Sequence, residues 1–276
     1  MRARVLALAL ALVATPAAAD TFSLSYEGAA LGFIPIGNIT VDADINEAGY
    51  QINTSMASGG LLNIFEHMNI QASASGLING GRVSWRHYEL DHHYSRKRRV
   101  IAMNAADDGA VTTEINPTYR VWGTPPASDE QRRGARDPLS SVVAMAIDVG
   151  EHRQCVGSYP TFDGRFYYLL QLSDGRPGHF DSAGYDGDVL KCSLSYVAVA
   201  GFEATDSWRR RIPHGEIWFA LAPNSRFAPP VRITTPLSAG GAVVHLTHWR
   251  RIMVDIQDAP ETAPPTPAPT ITAAAP

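Results

Sequence analysis

The amino-acid sequence predicts a mainly β protein: one extended antiparallel sheet wrapped around a single helix. Three observations carry that expectation. Apolar and polar residues alternate with period two over most of residues 20–120. Gly- and Asp-rich turn signals interrupt the alternation at short intervals, as tight hairpins require. Only one segment, the one that follows Asp137, repeats its apolar residues at helical spacing. With 276 residues, 45% apolar and 18% charged, the chain can build one sizeable core and is not a disordered polymer. Its net charge of −4 gives nucleic acid no general attraction.

The elements follow in order. Phe22, Leu24 and Tyr26 alternate with Thr21, Ser23 and Ser25, and Ile39, Val41, Ala43 and Ile45 repeat the pattern. Tyr50, Ile52 and Met56 form a third run, and Met68, Ile70, Ala72 and Ala74 a fourth. Asn46–Gly49, Gly59-Gly60 and Gly80-Gly81 supply the turns. The pattern continues less cleanly from Arg82 to Met103, breaks at Asp107-Asp108-Gly109 and resumes at Val111–Ile115. Tyr119 to Arg136 reads as a long surface loop. Asp137 then offers a helix N-cap, Pro138 suits the first helical position and Gly150 can end the helix. Leu139, Val142, Val143, Ala146, Ile147 and Val149 form its apolar stripe. Further strands are expected from Cys155, at Phe166–Leu172, Val189–Val199, Glu216–Ala222, Val231–Thr234 and Ala242–Trp249, with Ser173–Gly187 as a turn-rich connection.

The two ends differ in kind from the middle. Arg2 and Arg4, the apolar run Val5–Val13 and the small residues Ala17-Ala18-Ala19 have the layout of an export signal spanning residues 1–19, cleaved before Asp20. Nine apolar residues reach only about 14 Å as a helix, short of a bilayer core. No later run approaches the length of a membrane span, so the exported chain is expected to be soluble and periplasmic, with no transmembrane segment. The segment 257–276 is rich in Pro, Ala and Thr and is expected to be a disordered tail. Residues 20–256 remain as one β-rich domain. In an oxidising compartment the two cysteines, Cys155 and Cys192, are expected to form a structural disulfide.

Candidate chemistry is sparse. His87, His92 and His93 lie near Glu89 and Asp91, but neighbouring residues on a strand point to opposite faces, so the group reads as a surface cluster rather than a metal site. By the same rule His245 and His248 are expected to face opposite ways. No G-x-S-x-G motif, calcium loop or phosphate-cradling loop is present, and no catalytic residue, metal or cofactor is assigned. Arg96-Lys97-Arg98-Arg99 and Arg209-Arg210-Arg211 are the two basic runs, candidates for contact with an anionic headgroup. Among the aromatics, Phe166, Tyr168 and Trp218 are the candidates for lining an apolar groove.

Several segments together resemble an uncharacterised family of exported proteobacterial proteins. They are Tyr26 with Phe33-Ile34-Pro35-Ile36-Gly37, Asp137-Pro138-Leu139-Ser140-Ser141, Phe162-Asp163-Gly164-Arg165, Cys192 with Tyr196, Ala200-Gly201-Phe202, and Trp218-Phe219-Ala220 before Pro230-Val231-Arg232-Ile233. More loosely, the chain is similar to periplasmic lipoprotein carriers and envelope-integrity proteins. That resemblance implies a curved antiparallel sheet, a half-barrel or β-spiral, with one main helix packed on or in it over an apolar cavity. It implies a non-enzymatic envelope protein that binds a lipid, an acyl chain or a lipoprotein segment. An envelope scaffold that holds a protein partner is the alternative, and a hydrolase the third.

Overall fold

The computed structural model describes residues 19–31, 33–60, 67–182, 184–206, 210–237 and 240–254. The expected tail and all of the expected export signal except Ala19 lie outside them. Thirteen strands form one antiparallel sheet: β1 (Ala19–Ala30), β2 (Ile34–Ile45), β3 (Gly49–Ser58), β4 (Met68–Asn79), β5 (Arg82–Tyr94), β6 (Lys97–Ala105) and β7 (Val111–Asn116), then β8 (Gly157–Phe162), β9 (Tyr167–Ser182), β10 (Tyr185–Ala200), β11 (Gly215–Ala220), β12 (Pro230–Leu237) and β13 (Gly240–Val254). Two helices, α1 (Asp129–Arg133) and α2 (Pro138–His152), connect β7 to β8.

The strand order is β7-β6-β5-β4-β3-β2-β1-β13-β12-β11-β10-β9-β8. The first and last strands are therefore central neighbours, and the sheet is open, with β7 and β8 at its edges. It is nevertheless curved. Gly164, in the turn between β8 and β9, lies so close to Ile101 of β6 that a Cβ there would stand 3.0 Å from the Ile101 Cγ2. The two ends of the strand order thus approach one another around a common interior. A mainly β fold with a curved antiparallel sheet and one main helix is what the sequence predicts.

The hairpin register arranges the inward side chains of β1–β6 in rows across the sheet. Phe22, Ala43, Ile52, Ala74, Tyr88 and Met103 form one row, and all six are buried. The next row is Leu24, Val41, Thr54, Ala72, Leu90 and Ile101, and beyond it come Tyr26, Ile39, Met56, Ile70, His92 and Arg99. Burial decreases along this progression, and Ile39, Met56 and Ile70 are only half-buried.

Helix α2 occupies the interior at the opposite end of the strands. Asp137 caps it as expected, its carboxylate accepting from the Ser140 amide at 2.9 Å, and Pro138 begins it. Most of the helix surface is buried, more than the predicted stripe alone, because the sheet wraps it from several sides. Gly150 does not end the helix, which runs on to His152 and closes at Arg153 in the left-handed region (φ 55°). Glycine serves a close approach instead: a Cβ at position 150 would lie 2.0 Å from the Arg226 carbonyl oxygen.

Three further expectations are corrected. The stretch 119–136 is not all loop, since Ser128 and Gln131 form a capping box that starts α1. Ser173–Gly187 is not a turn-rich connection: β9 and β10 pair through it, turning only between Ser182 and Tyr185. That ribbon is largely exposed, so its polarity concealed the strands. His245 and His248 share one face, because a bulge shifts the register so that they pair with Glu27 and Ser25.

Cys155, just after α2, is bonded to Cys192 of β10, with Cα atoms 5.4 Å apart and both residues buried. The bond reaches across β9 and ties the exit of the helix to the sheet.

A candidate apolar ligand site

Helix α2 fills only part of the concave face. Its Leu139, Val142 and Val143 form the floor of a cavity of about 300 Å³, with walls from β1–β5, β12, β13 and the segment before β12. Leu24, Val41, Ala72 and Leu90 come from one row, and Tyr26, Ile39, Met56 and Ile70 from the next. Phe227, Pro229, Ile233 and Val244 close the far wall. The exceptions to an apolar lining are Thr54, the tyrosines, and Arg232, whose guanidinium lies 5.3 Å from the centre of the Trp218 ring. The half-exposure of Ile39, Met56 and Ile70 places the mouth at the end away from the helix, where the β1–β2 and β5–β6 hairpins turn.

The alternation that builds this wall builds its opposite. Thr40, Asp42, Asn53, Ser55, Gln71 and Glu89 line a polar hollow of about 410 Å³ on the other face of the same strands. Asp91 lies there too, its carboxyl held below the usual carboxylate range chiefly by the hydrogen bonds from Arg98. One face is built for water and the other for apolar contact.

A buried polar cluster holds the helix beneath the cavity. Asp137 is fully buried, and Ser140 donates its hydroxyl to the Asp137 carboxylate. Tyr50 Oη lies 2.5 Å from Ser140 Oγ, and Ser141 Oγ 2.8 Å from Thr161 Oγ1. Burial raises the Asp137 carboxyl to about 6, against the lowering effect of its hydrogen bonds. Tyr26 donates to the Pro230 carbonyl at 2.8 Å, and desolvation pushes the Tyr26 and Tyr88 phenols upward. The cluster orients α2. Its serines, Ser140 and Ser141, are buried under the helix start.

The groove candidates do not converge. Tyr168 stacks on Tyr196 with centroids 4.7 Å apart, and Phe166 stacks on Phe202 at 4.5 Å. Trp218 is covered by Lys191, whose Nζ stands 3.8 Å from the ring centre, and donates to Glu216. None of the three is among the residues lining the cavity. Strand alternation signals an inward face but not whether a helix fills it, so the β1–β5 residues carried no mark distinguishing cavity from core.

The basic runs divide. Arg98 pairs with Asp91 on the outer face, with Arg98 Nη2 2.8 Å from a carboxylate oxygen, and Arg96 lies in the β5–β6 turn. Arg99 and Lys97 share the inward face with His92 and Tyr94. Arg99 Nε donates to the Pro117 carbonyl at 3.1 Å, and its guanidinium lies 4.0 Å over the Tyr119 ring. Arg210 and Arg211 are exposed beside the segment leading to β11, and Arg209 lies outside the described residues. No group of three or more metal-ligating side chains is placed to hold an ion among the described residues, and no described helix is long and apolar enough to cross a membrane.

A crystal structure described as a β-barrel-like protein of a domain of unknown function (DUF1849) from Brucella abortus resembles this chain. The TM-score is 0.53 at 12% identity, over 86% of this chain and 98% of that one. At that identity the likeness concerns the fold alone. Among curated proteins no relative matches. The family model described as "Protein of unknown function (DUF3108)" matches residues 21–247, and the chain belongs to that family.

Proposed function

We propose that the protein is a non-enzymatic binding protein for an apolar or amphipathic molecule, an acyl chain, lipid or lipoprotein segment, held in the cavity above α2. The observation that carries this reading is an apolar space of about 300 Å³ open at one end. That size is at the lower bound of ligand pockets, and burial there stabilises a chain by roughly 0.8 kcal/mol per CH₂. A periplasmic site of action is part of the proposal. It is supported by the layout of residues 1–19 and by the Cys155–Cys192 bond, which an oxidising compartment preserves.

Native mass spectrometry of protein purified from its own host tests the reading directly. The expected result is a bound apolar molecule that organic extraction removes. Val142→Phe, which fills the floor of the cavity, is expected to yield a folded protein without it. Native protein that carries no such molecule and does not take up an alkyl-chain probe after extraction would overturn the reading.

A further inference from the structure

We propose that the cavity mouth contains an anion-binding subsite built from His92 and Arg99, so that the ligand is a single-chain amphiphile with a negatively charged head, a carboxylate or a phosphate. This rests on the apolar-cavity reading above and gives it a chemical class.

The placement follows from the register. His92 pairs directly with Ile70 and lies two residues beyond Leu90 on the same face, and both of those residues line the cavity. Cross-strand neighbours stand about 5 Å apart, so the imidazole borders the apolar wall. Arg99 is the next residue in that row, paired with His92. Lys97 and Tyr94 pair on the same face one step nearer the hairpin turn, and the Tyr94 ring lies 6.1 Å from that of His92. The apolar rows therefore run outward from the helix and end, on the β5–β6 side, in cationic and hydrogen-bonding groups.

Two features make this more than a solvated edge. The His92 Nε2 is buried and has no hydrogen-bond partner among the described residues, which a buried polar atom ordinarily has. Arg99 is fixed in place through its Nε and the Tyr119 ring, so its charge is preorganised on the inward face of β6, at the end of the row that runs from the cavity-lining Ile70 through His92. Burial opposes protonation of His92 and the Arg99 cation adds to that effect; a bound anion would offset both while accepting a hydrogen bond from the imidazole. Arg98, one residue away, is turned to Asp91 on the other face and serves as an internal control.

The experiment uses the full exported chain, extracted free of endogenous lipid, titrated by calorimetry with laurate, dodecyl phosphate and dodecanol. Both anions should bind at least about tenfold more tightly than dodecanol, the scale of a charge-assisted hydrogen bond. The stronger of the two identifies the head. Arg99→Met and, separately, His92→Phe should each abolish most of that preference and leave dodecanol binding unchanged, and Arg98→Met should leave all three affinities unchanged. Thermal melting checks that each variant is folded, and the two mouth variants test the subsite independently. Equal affinity for dodecanol and both anions, or a loss in Arg98→Met equal to that in Arg99→Met, would overturn the subsite while leaving the cavity reading intact. Failure of all three probes to bind would overturn both.

Discussion

Asp137 shows how one residue can both build and burden the fold. Its carboxylate caps α2, but complete burial raises its pKa from the ordinary 3.8 to about 6. The native state therefore holds this proton more tightly than the unfolded chain does. The associated stability is fully present below about pH 4 and is lost as pH rises through 6, by about 3 kcal/mol if the shift is expressed in full. Asp137→Asn keeps the capping oxygen and cannot ionise. Urea unfolding at pH 4 and pH 7.5 should therefore show the variant gaining on the native protein by up to that amount at the higher pH. A difference independent of pH would mean that the carboxyl is not perturbed. At position 150 the demand is steric. Gly150→Ala places a methyl group against the Arg226 carbonyl and should cost about 1–3 kcal/mol, measured as a lower urea midpoint with unchanged slope.

Helix α2 and the strands of the first half were legible in the sequence, for different physical reasons. The helix announced itself locally through the Asp137-Pro138 start, whose chemistry depends on the next three residues alone. The strands β1–β4 were legible because each has one wet and one dry face, so alternation survives in the sequence. The β9–β10 ribbon was hidden because much of it meets solvent on both faces and keeps no such contrast. Equally hidden was the parity change between His245 and His248, because a bulge is a property of the paired strand. The site was legible only in part. The basic run stood out, but its division into Arg99 within and Arg98 without depends on the β4–β5–β6 register. The Cys155–Cys192 bond belongs to this scale as well, closing a loop of 37 residues between helix and sheet. Cys155→Ala/Cys192→Ala should lose about 3–4 kcal/mol, seen as a lower melting temperature. An unchanged value would show the link to be energetically silent.

For the molecule as a whole, the strand order joins beginning to end. Ala19 pairs with Val254, and Asp20 makes an ion pair with Arg251 at 2.9 Å, beside the Ser225 hydroxyl that donates to it at 3.0 Å. This seam lies near the C-terminal half of α2, since Asp20, Ile147 and Glu151 border one small hollow. The cavity mouth is at the far end of the same strands. An affinity tag fused after residue 276 should accordingly leave laurate uptake by calorimetry unchanged, and the same tag inserted between Ser95 and Arg96 should reduce it severalfold. The geometry resembles a bucket with its handle fixed to the base: the chain enters and leaves where the vessel is closed. An attachment made at the Ala19–Val254 pairing would therefore sit at the opposite end of the strands from the opening.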